Sequence, residues 1–235
     1  LYMRTFIVML VSLYTSRIML EALGVANYGI NNVVGSIISM NALITSVVSA
    51  AISRFLTFEL GKGNVQRLKT VYSTSVNVQF IMSFLVIVIL EVIGLWFLNT
   101  TANIPTDRMY AAKCVLQCSI TCVVISMIST PINALIIAHE RMSVYAYFTI
   151  VDVVLKLIIC FVIKAYGGDR LILLAILNVC ITFSVQCFYI WYGRRHFQEA
   201  RYNLHVFDKT LFKEMTSYSG WNLFGNSNWI LNNQG

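Results

Sequence analysis

The chain has 235 residues, of which 58% are hydrophobic and 11% charged, with two prolines and a mean hydropathy of +0.73. Soluble domains carry roughly a quarter charged residues, so this composition excludes a soluble domain and describes an integral membrane protein. The net charge of +7 would point to nucleic acid on a soluble protein; here it asks which membrane face holds the cations, and nucleic acid is not an expected partner.

A membrane span needs about 20 mainly apolar residues, so a chain of this length with short loops holds about six or seven. A closed β-barrel is the other structure lipid permits, and it requires strict alternation of apolar and polar residues. Residues 84–90 read Phe-Leu-Val-Ile-Val-Ile-Leu without alternation, so the expected fold is an all-α integral membrane protein.

The first segment covers residues 5–20 and is interrupted by Arg17. A Gly/Asn turn over residues 23–29 leads to the second, residues 28–53, within a run from 22 to 53 that carries no charge. Its small residues Gly35, Ser39, Ser46, Ser49, Ala50 and Ser53 suit close helix packing in lipid. A polar connection over residues 59–70 precedes the third segment, 76–98, which ends in an interfacial Trp96. After the loop 99–108 comes the fourth segment, 114–138, with Pro131 expected to kink or break it near its end. The link His139-Glu140-Arg141 reads as a short exposed turn, making segments four and five antiparallel neighbours. Segment five is 142–163 and segment six 171–192. Residues 193–215 are polar and basic, and 218–225 look like the opening of a seventh segment. Both chain ends are expected to be truncated, and residues 1–16 lack the small-residue cleavage site of a signal peptide.

Orientation follows from counting cations. The two-three, four-five and six-seven connections hold Arg54, Lys62, Arg67, Lys69, Arg141, Arg194, Arg195, Arg201, Lys209 and Lys213; the others hold only Arg108, Lys113, Lys164 and Arg170. The richer set is expected in the cytoplasm, and with it the amino terminus.

Charges inside spans are costly and are functional candidates by default. Arg17 and Glu21 are four apart on one helix face; they either anchor the outer end of segment one or place Arg17 in a cavity against an anionic head group, with Glu21 holding it. Arg4 lies deeper in the same segment. Asp152 and Lys156 repeat the spacing in the middle of segment five, as a neutralised pair or as a proton or sodium site beside a phosphate contact. Glu91 stands toward the outer end of segment three, either reaching the interface or serving as a protonatable group. Cys114, Cys118 and Cys122 form a stripe without the second ligand pair that a structural zinc site uses, so neither metal nor cofactor is expected. No nucleophile-base set and no phosphate-cradling Gly loop is present, and no enzyme activity is expected.

Several strings in order resemble bacterial polysaccharide-export flippases of the Wzx type, which handle O-antigen and related lipopolysaccharide precursors. They are residues 13–17 (LYTSR), 23–35 (LGVANYGINNVVG), 53–63 (SRFLTFELGKG), 91–99 (EVIGLWFLN), 133–142 (NALIIAHERM) and 211–224 (LFKEMTSYSGWNLF). The parent group is the multidrug/oligosaccharidyl-lipid/polysaccharide exporter superfamily. The resemblance covers almost the whole chain and implies a MATE-like transporter of twelve to fourteen helices in two lobes. Residues 1–213 would be the amino-terminal six-helix lobe and 214–235 the start of helix seven. The implied function is transfer of a polyprenyl-pyrophosphate-linked oligosaccharide across the bacterial inner membrane by alternating access, alongside membrane lipids, glycan polymerase machinery and H+ or Na+ coupling. Arg17, Arg4 and Lys156 are the cavity cations expected by depth, with Arg54 at the membrane edge as a further substrate contact or a helix anchor. Asp152, Glu91 and Glu21 are the coupling-ion candidates. The alternatives are a cation-coupled multidrug exporter of the same superfamily, disfavoured by the balanced or cationic intramembrane charge, and a membrane enzyme of glycan assembly, disfavoured by short outer loops.

Overall fold

The computed structural model describes the backbone of residues 2–39, 41–100, 104–200 and 208–234; the side chains of residues 2–4, 7, 43, 106 and 223–234 lie outside the described set. Arg201 and His205 therefore fall outside it altogether. All regular elements among the described residues are helical: α1 Tyr2–Ser39, α2 Asn41–Gly61, α3 Val65–Thr100, α4 Met109–Ile128, α5 Thr130–Ala138, α6 Met142–Ala165, α7 Arg170–His196 and α8 Lys209–Gln234. Short 3-10 turns occupy Thr106–Arg108 and Gln198–Ala200. Six stretches are long and apolar enough to span a membrane, namely Val8–Ser39, Ile44–Gly61, Val65–Thr100, Met109–Ala138, Met142–Ala165 and Arg170–His196. Large apolar side chains such as Leu13, Phe84, Val92 and Phe188 point outward, as lipid-facing side chains do, because a helix in hydrocarbon satisfies its backbone internally and has no reason to hide its apolar surface. The chain is an all-α lobe of six transmembrane helices.

The turn expected over residues 23–29 contracts to one residue. Gly24 has φ 77 and ψ 162 inside α1, and helix resumes directly after it. A helix ending at residue 23 leaves its last carbonyls without intrahelical donors, and side chains supply them. Arg170 Nη1 donates to the Ala22 carbonyl at 2.7 Å, and Asn27 Nδ2 donates to that of Leu23 at 3.1 Å.

The connection expected over residues 59–70 is also mostly helix. Gly63, at φ 69, turns the chain after α2, and Asn64 Oδ1 accepts the Arg67 N–H at 3.0 Å to cap α3. Gln66, Arg67, Leu68 and Lys69 are good helix formers, so polarity here marks where the helices leave lipid and not where they end. Pro131 breaks the fourth span as expected, with Ser129 at φ −86 and ψ −5 standing between α4 and α5.

At the end of α5, Glu140 takes φ 57, the Arg141 N–H donates to Ile136 O at 3.1 Å and the Glu140 N–H to Ile137 O at 2.9 Å. This paired pattern is a Schellman motif, with a glutamate in the left-handed position that glycine usually fills. Glu140 and Arg141 of the link are exposed as expected, but His139 is not: its Nε2 lies 2.6 Å from Glu199 Oε1, and its ring stacks on buried Phe197 at 4.3 Å. At the start of α8, Asp208 Oδ1 accepts the N–H groups of Thr210 and Leu211, an N-cap. The Leu211 N–H, with Arg67 Nη1 2.8 Å from Oδ2, holds the Asp208 carboxyl below its ordinary range.

The chain forms two compact units. The first comprises residues 1–39, 85–126 and 142–188. In it α1 packs against α6, and its core includes Val34, Leu98, Leu116, Ile163 and Leu171. The second comprises residues 40–84, 127–141 and 189–235. There α2 packs against α5 and α8 around Ile52, Leu56, Met127, Leu135 and Met215. Gly193 of α7 lets Ile132 of α5 come close, since a Cβ built at 193 would sit 2.5 Å from Ile132 Cγ1.

Candidate functional site

In the first unit, the charged side chains gather on α1 and α6. Arg17 Nε and Glu21 Oε1 are 3.4 Å apart, the pair that their four-residue spacing predicts, and Glu21 Oε2 also lies 3.6 Å from Lys164 Nζ. Arg17 stays 81% exposed, and its contact is long and single, so most of its hydrogen-bonding capacity remains free. Along α6, Lys156 Nζ meets Asp152 Oδ2 at 2.8 Å with the lysine 46% exposed. The α1–α6 packing thus brings two cation-carboxylate pairs into one unit, with Lys164 as a third cation on Glu21.

Glu91 of α3 accepts a hydrogen bond from Gln117 Nε2 of α4 at 2.9 Å. Arg4 lies on α1, with its side chain outside the described residues. Arg108 and Asp169 form a further pair at 3.1 Å. Among the described residues no group of three His, Cys, Asp or Glu side chains is placed to hold a metal ion, and Cys114, Cys118 and Cys122 carry free thiols.

Arg54 belongs to the second unit. Its guanidinium sits 4.5 Å over the Tyr218 ring, which Phe55 meets edge-on at 6.4 Å. Arg54 lines a cleft of about 710 Å³ between α2 and α8 together with Phe58, Lys213, Glu214, Tyr218 and Trp221. Residues 54, 55 and 58 share one face of α2, and residues 210, 213, 214, 217, 218 and 221 recur at helical spacing along α8.

The sequence reading missed Arg170 and Lys164, which it counted only as loop cations, and Lys213 with its aromatic neighbours. Gln117 was visible as a polar residue in an apolar helix, but its pairing with Glu91 needs the α3–α4 register. The lone polar groups of such helices do more when paired, because charged partners in lipid-embedded segments otherwise face a cost of roughly 2.5–3.5 kcal/mol each on insertion scales. Chemically, the first unit offers exposed cations held by carboxylates within spans, an arrangement suited to an anionic or ion-coupled solute.

Comparison with known proteins found no matching curated protein and no matching solved structure. The family profile described as MatE matches residues 2–162. That match covers more than half of the chain, including most of the six-helix lobe with Arg17, Glu21, Asp152 and Lys156. A six-span all-α lobe of this kind is consistent with one lobe of a two-lobe MATE-like transporter, and such proteins are transporters and not enzymes. The chain therefore belongs to the MatE family, as a multi-pass membrane transport protein of the multidrug and oligosaccharide exporter superfamily.

Proposed function

We propose that this lobe transports a polyprenyl-pyrophosphate-linked oligosaccharide of surface-polysaccharide biosynthesis from the cytoplasmic to the periplasmic leaflet of the bacterial inner membrane. The observation that carries the reading is the exposure of Arg17 and Lys156 on spans of the first unit. A cation turned toward hydrocarbon is expensive, so these two side chains belong to a hydrated path, where a doubly charged pyrophosphate is the natural counter-ion. Arg4, whose side chain lies outside the described residues, is proposed as a third cation from its place in the sequence alone, and Arg54 lines a cleft of the second unit. The apolar tail stays in the bilayer while the head group passes.

In this reading residues 1–213 form the amino-terminal lobe and residues 214–235 begin helix seven, whose lobe rocks against the first. The amino terminus is cytoplasmic by the excess of Lys and Arg in the two-three, four-five and six-seven connections. Asp152, Glu91 and Glu21 supply the protonatable or sodium-binding groups that couple the cycle to an ion gradient. Glycan polymerase machinery receives the product on the periplasmic side.

The test replaces Arg17 or Lys156 with Ala in the intact transporter and measures export of lipid-linked glycan beside membrane insertion. Insertion is expected to persist while export falls by at least about tenfold, the loss of roughly 1.4 kcal/mol of binding. Wild-type export by both variants would overturn the cation role.

A further inference from the structure

We infer that the α2–α8 cleft of the second unit seats the head group of a glycerophospholipid, one whose head group carries hydrogen-bond donors. This inference stands apart from what the chain transports.

Among the described residues the cleft holds two cations without a carboxylate partner. Neighbouring cations of the same unit are engaged: Arg67 pairs with Asp208 at 2.8 Å, and Lys62 with Glu59 at 3.4 Å. Among the described residues no carboxylate lies within 4.0 Å of Arg54 or Lys213. Both line the cleft. Arg54 is held over the Tyr218 ring at 4.5 Å and hydrogen-bonds to that side chain, which uses part of its five-donor set and leaves the rest for a ligand. Two such cations match a phosphate diester, which accepts bidentate hydrogen bonds from Arg and a point charge from Lys.

Arg54 and Phe58 lie in the last turns of α2, which ends at Gly61, and Lys213 to Trp221 lie in the first turns of α8, which begins at Lys209. The end of a span lies where phospholipid head groups lie, which places the α2 side of the cleft at that level, and Trp and Tyr are enriched there because one part of each ring is apolar and another polar. Trp221 is 77% exposed and Phe58 59% exposed. They give the cleft an apolar wall of the kind an acyl-chain root covers. A soluble anion would leave that wall wet.

Glu214 and Ser217 share the cleft with the two cations. A carboxylate beside a phosphate site repels a bare anion and accepts hydrogen bonds from a head group that has donors. Phosphatidylglycerol offers hydroxyls and phosphatidylethanolamine an ammonium, whereas the quaternary ammonium of phosphatidylcholine donates none.

The experiment uses the purified protein in a neutral detergent and reads Trp221 fluorescence quenched by phospholipids with brominated acyl chains, a Trp221→Phe variant giving the background. Phosphatidylglycerol and phosphatidylethanolamine are expected to half-saturate at mole fractions at least fivefold below phosphatidylcholine. The Arg54→Gln/Lys213→Gln double variant should lose that preference, while Arg54→Lys, which keeps the charge, and Lys156→Gln, in the other unit, should retain it. Variants are compared only where their unfolding midpoints match wild type; the retained preference of Arg54→Lys guards against a folding artefact. Equal quenching by all three lipids, or a preference that survives in the double variant, would overturn the inference. Full competition by glycerol 3-phosphate would assign the cleft to a soluble phosphate, and a stronger preference for a polyprenyl phosphate would assign it to the transported substrate; either would overturn it too. Loss of transport in Arg17→Ala with intact lipid preference, or the reverse in the double variant, keeps the fate of this inference separate from that of the transport reading.

Discussion

Replacing Gly24 with Ala isolates the energetic role of the break in α1. At φ 77 and ψ 162 the residue occupies a region open almost only to glycine, and holding an L-residue there costs about 1–3 kcal/mol. No atom lies within 4 Å of a Cβ built at this position, so the substitution adds neither a clash nor a contact. Alanine also narrows the unfolded ensemble, which offsets about 0.4–1 kcal/mol. The net expectation is a loss of about 1–2 kcal/mol. Gly29 and Gly35 serve as controls on the same helix, because neither has a neighbour within 4 Å of its Cβ or a positive φ. Alanine there should be neutral or stabilising by about 0.5–1 kcal/mol. The assay is equilibrium unfolding in mixed micelles with rising SDS fraction, followed by tryptophan fluorescence. A Gly24→Ala midpoint equal to that of Gly35→Ala would refute the claim that a left-handed residue sets the turn.

Three further outcomes are expected. Gly193→Ala should destabilise by about 1–3 kcal/mol through overpacking on Ile132, and Ile132→Ala in the same chain should recover part of that loss; a double-mutant cycle without coupling contradicts the close α5–α7 approach. Asp208→Ala should cost about 0.5–2 kcal/mol through loss of the α8 cap. Because the folded carboxyl titrates below its ordinary value of 3.8, its contribution is complete above that pH and disappears as pH falls through the depressed value; a wild-type acid-unfolding midpoint identical to that of Asp208→Ala would deny it. In a background without the six native cysteines, a Cys at Asn103 should react with an impermeant reagent added outside cells and one at Asn64 should not, and the opposite pattern inverts the orientation.

The number of spans was legible because the length of an apolar run is a direct consequence of bilayer thickness, and the break at Pro131 because a missing N–H acts locally; the bounds of the first two were not, since the stretches expected at 5–20 and 28–53 stand as Val8–Ser39 and Ile44–Gly61, the helix resuming straight after Gly24. Residues 59–70 misled because polarity was read as loop, whereas a helix leaving lipid can continue into water. The same divide between local and distant causes governs the charged groups. Arg17 with Glu21 and Asp152 with Lys156 needed only helix geometry to be paired on paper. Glu91 with Gln117, His139 with Glu199 and Arg170 with the Ala22 carbonyl are 26, 60 and 148 residues apart. Their meeting depends on helix register and packing, which a single sequence does not display. Lys213 and Tyr218 joined Arg54 for the same reason, since nothing local ties α8 to α2.

The contact between Arg170 and the Ala22 carbonyl also orders events during synthesis. When α1 enters the bilayer, the carbonyl that its break at Gly24 exposes has no side-chain donor from the following helices, and an unmet polar group in hydrocarbon costs several kcal/mol. The donor arrives only with the first residue of α7, after five earlier spans have left the ribosome. Until then the broken helix must borrow water or a lipid head group at Ala22, so α1 completes its hydrogen bonds only after α7 begins to be made.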